Sequence, residues 1–562
     1  MRFVWKYLTI FNSKIMNKGI KSLAAIVLGL AAVACSSPEK MAEQAENVTV
    51  KCNPAVLEVV AGKINAEVSV TYPDSYFHPK AILEVTPVLV YEGGEAKMAP
   101  YYFQGEKVKD NYETVPSTGA TVTKKVTFNY VPGMEKCYLE LRGVVKYGKK
   151  STNLPTKKVA DGANTTYMLV DKAGRVDLKA DGYQEIIKQT AEGQILYTIN
   201  SSNVRSSELK SKSVKDFQAA LAEIQENSRK NITSTDVVAY ASPDGGEKLN
   251  DKLSNNRSKS AEKAFAKVTK KNALDAPVNV QSIGQDWEGF KELVAESDLE
   301  DKDLIIRVLS MYSDPAVREK EIKNMSAVYK TLAKEVLPAL RRARFIANVE
   351  YTNYTSQELL ALIEDNIDIL DETALLRAAT LVTKLEDKVS LYNKAVEKYS
   401  SATAQYNIAV VYLKAGETAK AKKALEKVAE KDADYNNAMG VVALQEGKYD
   451  EAAKCFAASG SEAAKENLGM LDILNGKYAD AAAKLANAEC CMNKALALIL
   501  TNNLNAASSA IKCNCPKAAY LKAVIAARQG KADAVKSNLE TAKKDKALAE
   551  RAAKDIEFAQ FR

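Results

Sequence analysis

A ladder of small residues in the carboxy-terminal third of the chain constrains its fold most. Apolar, helix-like segments there end at glycine or asparagine, the residues that most readily take the left-handed turn after a helix. These positions are Gly416, Gly447, Gly476, Asn502 and Gly530. The residues five and nine positions after the glycines are Ala421 and Leu425, Ala452 and Phe456, Ala481 and Leu485, and Val535 and Leu539. A helix pair with this pattern buries its apolar face only against the next pair, so the ladder predicts a stacked helical solenoid.

This ladder resembles the tetratricopeptide repeat, including the small residue seven positions before the glycine at Ala409, Gly440 and Gly469. The segment 375–399 is predicted to form one further repeat. The resemblance implies an α-helical solenoid over 355–562 whose concave face binds a protein partner.

Many such repeats present a ligand-holding asparagine on the concave face. At or next to that position stand Asn407, Asn437, Asn467 and Asn493, with Lys414 deeper along the first of these helices. Amide side chains can pair with a peptide backbone in both directions, which predicts a partner groove. Asparagine is also common on solvated helix surfaces, and that alternative stays open at this point.

The amino-terminal segment 16–35 has the composition of a secretory signal. Lys18 and Lys21 precede an apolar run that is too short to span a bilayer and that ends in Ala34-Cys35. A small residue directly before cysteine resembles the bacterial lipobox, in which the cysteine is acylated. The resemblance implies a signal over 1–35, a lipid on Cys35 and a tether over 36–47. An ordinary signal peptide with an incidental cysteine is the alternative.

Charge and cysteine content narrow the classes of function. Lys and Arg number 79 against 71 Asp and Glu, a net charge of +8, but the basic residues are interspersed and do not support nucleic-acid binding. The only histidine, His78, is far from the pairs Cys490-Cys491 and Cys513-x-Cys515, whose spacing is not that of a zinc site. Disulfides among these four cysteines and free thiols both remain open. We predict no metal, no cofactor and no catalytic residue.

Hydrophobic residues alternate with a period of two from about Val48 to Val170. Strands are predicted over 64–71, 81–91, 121–130 and 137–147. Turn signals separate these strands and no helical pattern intervenes. We therefore predict an antiparallel β-sandwich over 48–175 that serves as a docking or spacer module.

Strands and helices alternate over 190–352. Strands are predicted over 194–200 and 232–240, a helix with a stripe of Val214, Phe217, Leu221 and Ile224 lies between them, and 249–268 is helical again. The segment that carries a resemblance runs from Ala239 through Ser242 and Asp244 to Gly245, and continues with Asn250, Leu253-Ser254 and Arg257. It resembles the strand, loop and helix of the OmpA carboxy-terminal domain, and 341–346 resembles that family's closing strand. An insertion of about 55 largely helical residues, at about 285–340, distinguishes this chain from the compact family fold.

This resemblance implies peptidoglycan binding, because in that family an aspartate and an arginine hold the two ends of a diaminopimelate residue. Arg257 matches the arginine and Asn250 the asparagine of the motif. Ser242 occupies the aspartate position and cannot balance an ammonium. Asp244 is the candidate to replace it. Weak peptidoglycan binding and an OmpA-like fold kept as a scaffold both remain open.

The order of these segments resembles that of outer-membrane lipoproteins of Bacteroidota. We predict a non-enzymatic scaffold, anchored to the outer membrane, that recruits envelope proteins through its repeats. The periplasmic face is favoured because 36–40 lacks an acidic cluster. A glycan-binding or glycan-processing lipoprotein that uses the β-sandwich is the alternative.

Overall fold

A computed structural model describes residues 38–272, 274–299, 301–488 and 492–562. The predicted signal with Cys35, and the pair Cys490-Cys491, lie outside the described residues. The chain divides into two compact units. The first unit contains the described residues up to Arg175 together with Gly447–Arg562, and the second contains Val176–Glu446.

The amino-terminal region of the first unit is a β-sheet preceded by one short helix, α1 (Pro38–Glu43). The strands are β1 (Thr49–Asn53), β2 (Val56–Val60), β3 (Lys63–Tyr72), β4 (Ile82–Tyr91), β5 (Gly94–Lys97), β6 (Tyr101–Gly105), β7 (Glu113–Val115), β8 (Ala120–Asn129), β9 (Cys137–Tyr147), β10 (Lys150–Asn153) and β11 (Lys157–Asn164). The four predicted strands correspond to β3, β4, β8 and β9 and are confirmed. Alternate residues of β3 are buried, as the period of two requires.

The strands are not arranged as the predicted antiparallel β-sandwich. All eleven belong to one curled sheet of order β1-β3-β2-β11-β9-β4-β6-β7, with β8 on β3, β5 on β4 and β10 on β9. The reason is that β2 pairs with β11 at Val56 and Glu58 and with β3 at Val59 and Val60, which joins the two halves. The pairs β2–β11 and β6–β7 are parallel, so the sheet is not purely antiparallel.

The second unit contains a four-stranded sheet with helices. Its elements are β12 (Ile186–Leu196), α2 (Lys212–Glu226), β13 (Lys230–Ala241), α3 (Glu247–Thr269), β14 (Val278–Gln285) and β15 (Arg342–Thr352), and the strand order is β12-β15-β13-β14. The predicted stripe of α2 is buried against Ile195, Val237 and Phe345. The strand predicted over 194–200 is wrong in its bounds, since β12 ends at Leu196 and begins eight residues earlier than predicted. Most side chains of its first half are exposed, so that half carries no apolar signal.

Four helices fill the expected insertion: α4 (Trp287–Glu296), α5 (Lys302–Met311), α6 (Pro315–Asn324) and α7 (Ser326–Glu335). They have a small core of their own, which includes Phe290, Ile305 and Leu332.

The rest of the chain is helical. Its helices are α8 (Ser356–Asp365), α9 (Glu372–Leu381), α10 (Leu385–Tyr399), α11 (Ala402–Lys414), α12 (Thr418–Glu426), α13 (Ala433–Gln445), α14 (Tyr449–Ser459), α15 (Glu462–Leu474), α16 (Tyr478–Lys484), α17 (Met492–Leu500), α18 (Leu504–Ala510), α19 (Pro516–Arg528), α20 (Ala532–Ala542) and α21 (Lys546–Lys554). Helices α8 to α13 belong to the second unit and α14 to α21 to the first. No helix in the described ranges is both long and apolar enough to cross a bilayer.

The ladder residues occupy the turns and contacts that the sequence predicts. All four glycines have φ between +72° and +77°, and Asn502 has φ +59°, which is the left-handed conformation expected after a helix. Ala421, Ala452 and Ala481 are fully buried. Gly469 lies so close to the following helix that an added Cβ would stand 2.7 Å from the Leu485 Cγ. The helices therefore approach closely where the sequence places its smallest residues.

Candidate functional site

The four asparagines predicted to line a partner groove are buried. Their exposed fractions are 1% for Asn407, 3% for Asn437, 2% for Asn467 and 8% for Asn493, whereas Lys414 is exposed. The alternative, in which these amides are simply solvated, is therefore wrong. A buried amide must find hydrogen-bond partners, because an unsatisfied one costs about 1 to 3 kcal/mol.

In the second unit, Asn407 binds the backbone of Lys179. Its Oδ1 accepts the Lys179 N–H at 2.8 Å, and its Nδ2 donates to the Lys179 carbonyl oxygen at 3.1 Å. The side chain of Lys179 is also held: its Nζ lies 2.6 Å from Asp432 Oδ2 and 5.3 Å from the ring centroid of Tyr406. The Tyr406 hydroxyl donates to the carbonyl oxygen of Asp177 at 3.4 Å.

In the first unit, two asparagines make the same contact. Asn467 accepts the Arg175 N–H at 2.6 Å and donates to the Arg175 carbonyl oxygen at 2.8 Å. Asn493 accepts the Asp171 N–H at 2.7 Å and donates to the Asp171 carbonyl oxygen at 2.9 Å. Each of these residues also has a side-chain partner of opposite charge, Glu466 at 2.5 Å for Arg175 and Lys517 at 3.1 Å for Asp171.

We call residues 171–179 the held segment, of which 171–175 belong to the first unit and 176–179 to the second. Three of its residues are bound alike: one asparagine satisfies both polar groups of the backbone, and one charged side chain pairs with the side chain. The sequence predicted amides that bind peptide backbone, and this is confirmed for Asn407, Asn467 and Asn493. It assigned that backbone to a partner protein, however, whereas the backbone bound at Asn407, Asn467 and Asn493 belongs to the chain itself. The sequence prediction placed 171–175 at the end of the β-sandwich and left 176–179 unassigned.

Two carboxylates have a pKa below its ordinary value, Asp432 beside the held segment and Asp171 within it. Burial alone would raise the pKa of Asp432, but hydrogen bonds from Lys179 and from the Tyr435 N–H leave it below its ordinary value. The same competition lowers the pKa of Asp171, where burial is outweighed by the Ala173 N–H and by Lys517. Both groups are therefore ionised at neutral pH and available for ion pairs.

The residues of the predicted peptidoglycan pocket come together in the second unit. Asn250 Nδ2 donates to the carbonyl oxygens of Ser242 at 3.0 Å and Gly245 at 2.7 Å, which fixes the loop between β13 and α3. The hydroxyl of Ser242 donates to Asp244, and Asp244 Oδ2 accepts from Arg341 Nη2 at 3.0 Å. Arg341 therefore already balances the charge of Asp244.

Arg257 is not positioned to bind a ligand. It is fully buried, and its guanidinium donates to the carbonyl oxygens of Tyr240 at 2.8 Å, Ser201 at 3.0 Å and Thr198 at 3.3 Å. Burial lowers its pKa to about 10, so it remains a cation at neutral pH. Arg257 and Asp244 are therefore not available for the predicted grip on a zwitterion. Carbonyl groups of the chain occupy Arg257, and Arg341 occupies Asp244.

Among the described residues, no three or more His, Cys, Asp or Glu side chains are grouped as a metal ion would require. Among the described cysteines, the free thiols are Cys52, Cys137, Cys455, Cys513 and Cys515.

No protein-family model matches the chain, and no curated protein sequence matches it. The chain is similar to the crystal structure of a tetratricopeptide repeat protein from Parabacteroides merdae. The match covers 36% of this chain and 91% of that chain at 15% identity, with a TM-score of 0.28. A likeness at this level carries no functional information, so the fold assignment rests on the helix pairs and their glycine turns.

Proposed function

We propose that this chain is a non-enzymatic scaffold protein whose helical repeats bind extended polypeptide backbone. The supporting observation is the repeated contact of Asn407, Asn467 and Asn493, each of which uses both amide atoms on one backbone residue. Every residue except proline offers an N–H and a carbonyl oxygen at the main chain, so this contact tolerates many sequences. The charge pairs beside each amide then select the peptide.

We further propose that the repeats are tetratricopeptide repeats and that the protein is a lipoprotein of the outer membrane, anchored at Cys35 and facing the periplasm. The charged, apolar and small-residue pattern of 16–35 supports the anchor. The α/β region of the second unit is proposed to be a degenerate OmpA-like domain, since its motif residues are occupied internally.

The anchor is tested by Cys35→Ala, with Cys52→Ala as the matched control. After the cell wall is digested, Cys35→Ala should appear in the soluble fraction, because an acyl chain contributes about 0.8 kcal/mol per buried methylene. The control should remain with the membrane. Membrane retention of both variants would contradict the proposed anchor.

A partner can bind these amides only if it displaces the held segment. Trypsin cleaves after Lys172, Arg175 and Lys179, so displacement is measured as faster cleavage at these three bonds. A partner purified from detergent-solubilised envelope should accelerate this cleavage when it is added at saturation. Saturating partner with unchanged cleavage would place the partner site on another surface and would refute the use of these asparagines.

Peptidoglycan binding is expected to be absent in the native chain. Sedimentation with purified peptidoglycan should leave both the native protein and Ser242→Asp in the supernatant, because the new carboxylate does not free Arg257 from its carbonyl acceptors. Binding of the native protein that is abolished by Asp244→Ala would contradict this expectation.

A further inference from the structure

Two thiols face each other in the loop between α18 and α19. Cys513 Sγ and Cys515 Sγ are 3.6 Å apart, with Asn514 between them in the sequence. A disulfide has a sulfur separation of about 2.05 Å, so a closing movement of about 1.5 Å would join them. Cys515 is exposed and Cys513 is half-buried, so reagents in solvent reach Cys515 first.

The position of Cys515 favours its thiolate. Cys515 is the N-cap of α19, and its Sγ accepts a hydrogen bond from the Ala518 N–H at 3.5 Å. That bond is the main cause that lowers the pKa of Cys515, and the hydrogen bond with Cys513 adds to it. A thiolate at a helix N-terminus is also stabilised by the helix dipole.

A lysine fixes the loop that carries both thiols. Lys522 Nζ donates to the Cys513 carbonyl oxygen at 3.2 Å and to Asn514 Oδ1 at 2.8 Å. It therefore anchors the loop at the two residues before Cys515 and places a positive charge beside them.

Three other cysteines have the opposite environment. Burial raises the pKa of Cys52 and Cys455, and it raises that of Cys137 to about 12. These thiols are inert by comparison and supply internal controls.

We propose that Cys513 and Cys515 form a redox-active dithiol that reduces an accessible disulfide. The Cys515 thiolate attacks one sulfur of the substrate disulfide, forms a mixed disulfide and expels the other sulfur as a thiolate. Cys513, after losing its proton to solvent, then attacks Cys515 Sγ and expels the second substrate thiolate. Two electrons pass to the substrate, both expelled thiolates take protons from solvent, and the chain retains a Cys513–Cys515 disulfide.

The test uses the full chain and oxidised glutathione as the disulfide. The native protein should form the Cys513–Cys515 disulfide and release two molecules of reduced glutathione for each chain. Cys513→Ser should stop at a mixed disulfide on Cys515, identified by peptide mass mapping after an acid quench. Cys515→Ser should lose the fast reaction while it keeps its fold, since serine is a preferred N-cap residue. Cys455→Ser should behave as the native protein.

Alkylation rates provide a second measurement. At pH 7, iodoacetamide should modify Cys515 at least about tenfold faster than Cys455 in the same molecule. Equal rates at these two cysteines would overturn the proposal. A stable mixed disulfide in the native protein, or a disulfide from Cys515 to Cys490 or Cys491, would overturn it as well.

Discussion

The hold of Asn407 on Lys179 can be measured directly with the variant Asn407→Ala. The substitution removes both hydrogen bonds between the Asn407 amide and the Lys179 backbone, which are 2.8 and 3.1 Å long. The native Asn407 is only 1% exposed. Each such bond contributes about 1 kcal/mol net, so the free energy that keeps the Lys179 backbone in place should fall by about 2 kcal/mol. Because 1.4 kcal/mol corresponds to a factor of ten, the population in which Lys179 is released should rise about 30-fold.

Trypsin cleavage measures the population in which Lys179 is released, because the bond after Lys179 is cut only when the segment is released. Cleavage tracks the released population when release and rebinding are fast relative to cutting, a regime reached at low protease concentration. The rate of cleavage after Lys179 should therefore rise about 30-fold in Asn407→Ala.

The matched control is Asn393→Ala, which removes an exposed amide from α10 in the same unit. It should be cleaved as the native protein is. If Asn407→Ala is cleaved after Lys179 no faster than Asn393→Ala, Asn407 does not hold the segment in solution. An asparagine in an open groove would give that same unchanged rate, so the experiment separates the two interpretations.

Three further variants test the rest of the structure. Gly469→Leu should unfold the neighbouring helices, measured as a loss of helical circular dichroism, because even its Cβ would stand 2.7 Å from Leu485 Cγ. Arg257→Ala should lower the free energy of unfolding by about 2 to 4 kcal/mol in urea titrations, because three carbonyls lose their donor, and a variant as stable as the native chain would refute a structural role. The ion pair of Asp432 with Lys179 should be pH-sensitive. Burial raises the pKa of Asp432, but the hydrogen bonds from Lys179 and from the Tyr435 N–H outweigh burial and lower the pKa in the folded state. The stabilisation is therefore present above the unfolded pKa and is lost as the pH falls through the folded one. The protection factors for hydrogen exchange of residues 176–181, which are corrected for the intrinsic rate at each pH, should fall in acid, and Asp432→Asn should remove that dependence.

Much of the secondary structure could be predicted because burial of alternate or helix-spaced side chains is a local property. Strands β3, β4, β8 and β9 and the stripe of α2 follow from it. The closure of the sheet through β2 and β11 could not be predicted, since the pairing of strands about 100 residues apart leaves no local pattern. The first half of β12 was missed because its side chains are largely exposed.

The candidate site was predictable in its chemistry but not in its occupant. Buried, regularly spaced asparagines indicate backbone binding whichever peptide they hold. The held segment has a weak signal of its own: Asp171, Arg175 and Lys179 are charged and spaced four residues apart, and the chain between them lacks a hydrophobic period. At Arg257 and Asp244 the motif residues were present, yet Arg341, almost a hundred residues away, decides whether Asp244 is available.

The held segment also determines what a partner of these repeats must offer. A partner's backbone would regain the same two hydrogen bonds at each asparagine, so the exchange leaves the hydrogen-bond count unchanged. The difference is that the held segment is part of the same chain, and a tethered ligand has an effective concentration on the order of millimolar. A partner that offered backbone hydrogen bonds alone would displace the segment only at a concentration above this effective concentration. An effective partner must therefore gain further contacts, and the charged groups that now pair with the segment, such as Asp432 and Lys517, are where those contacts are available.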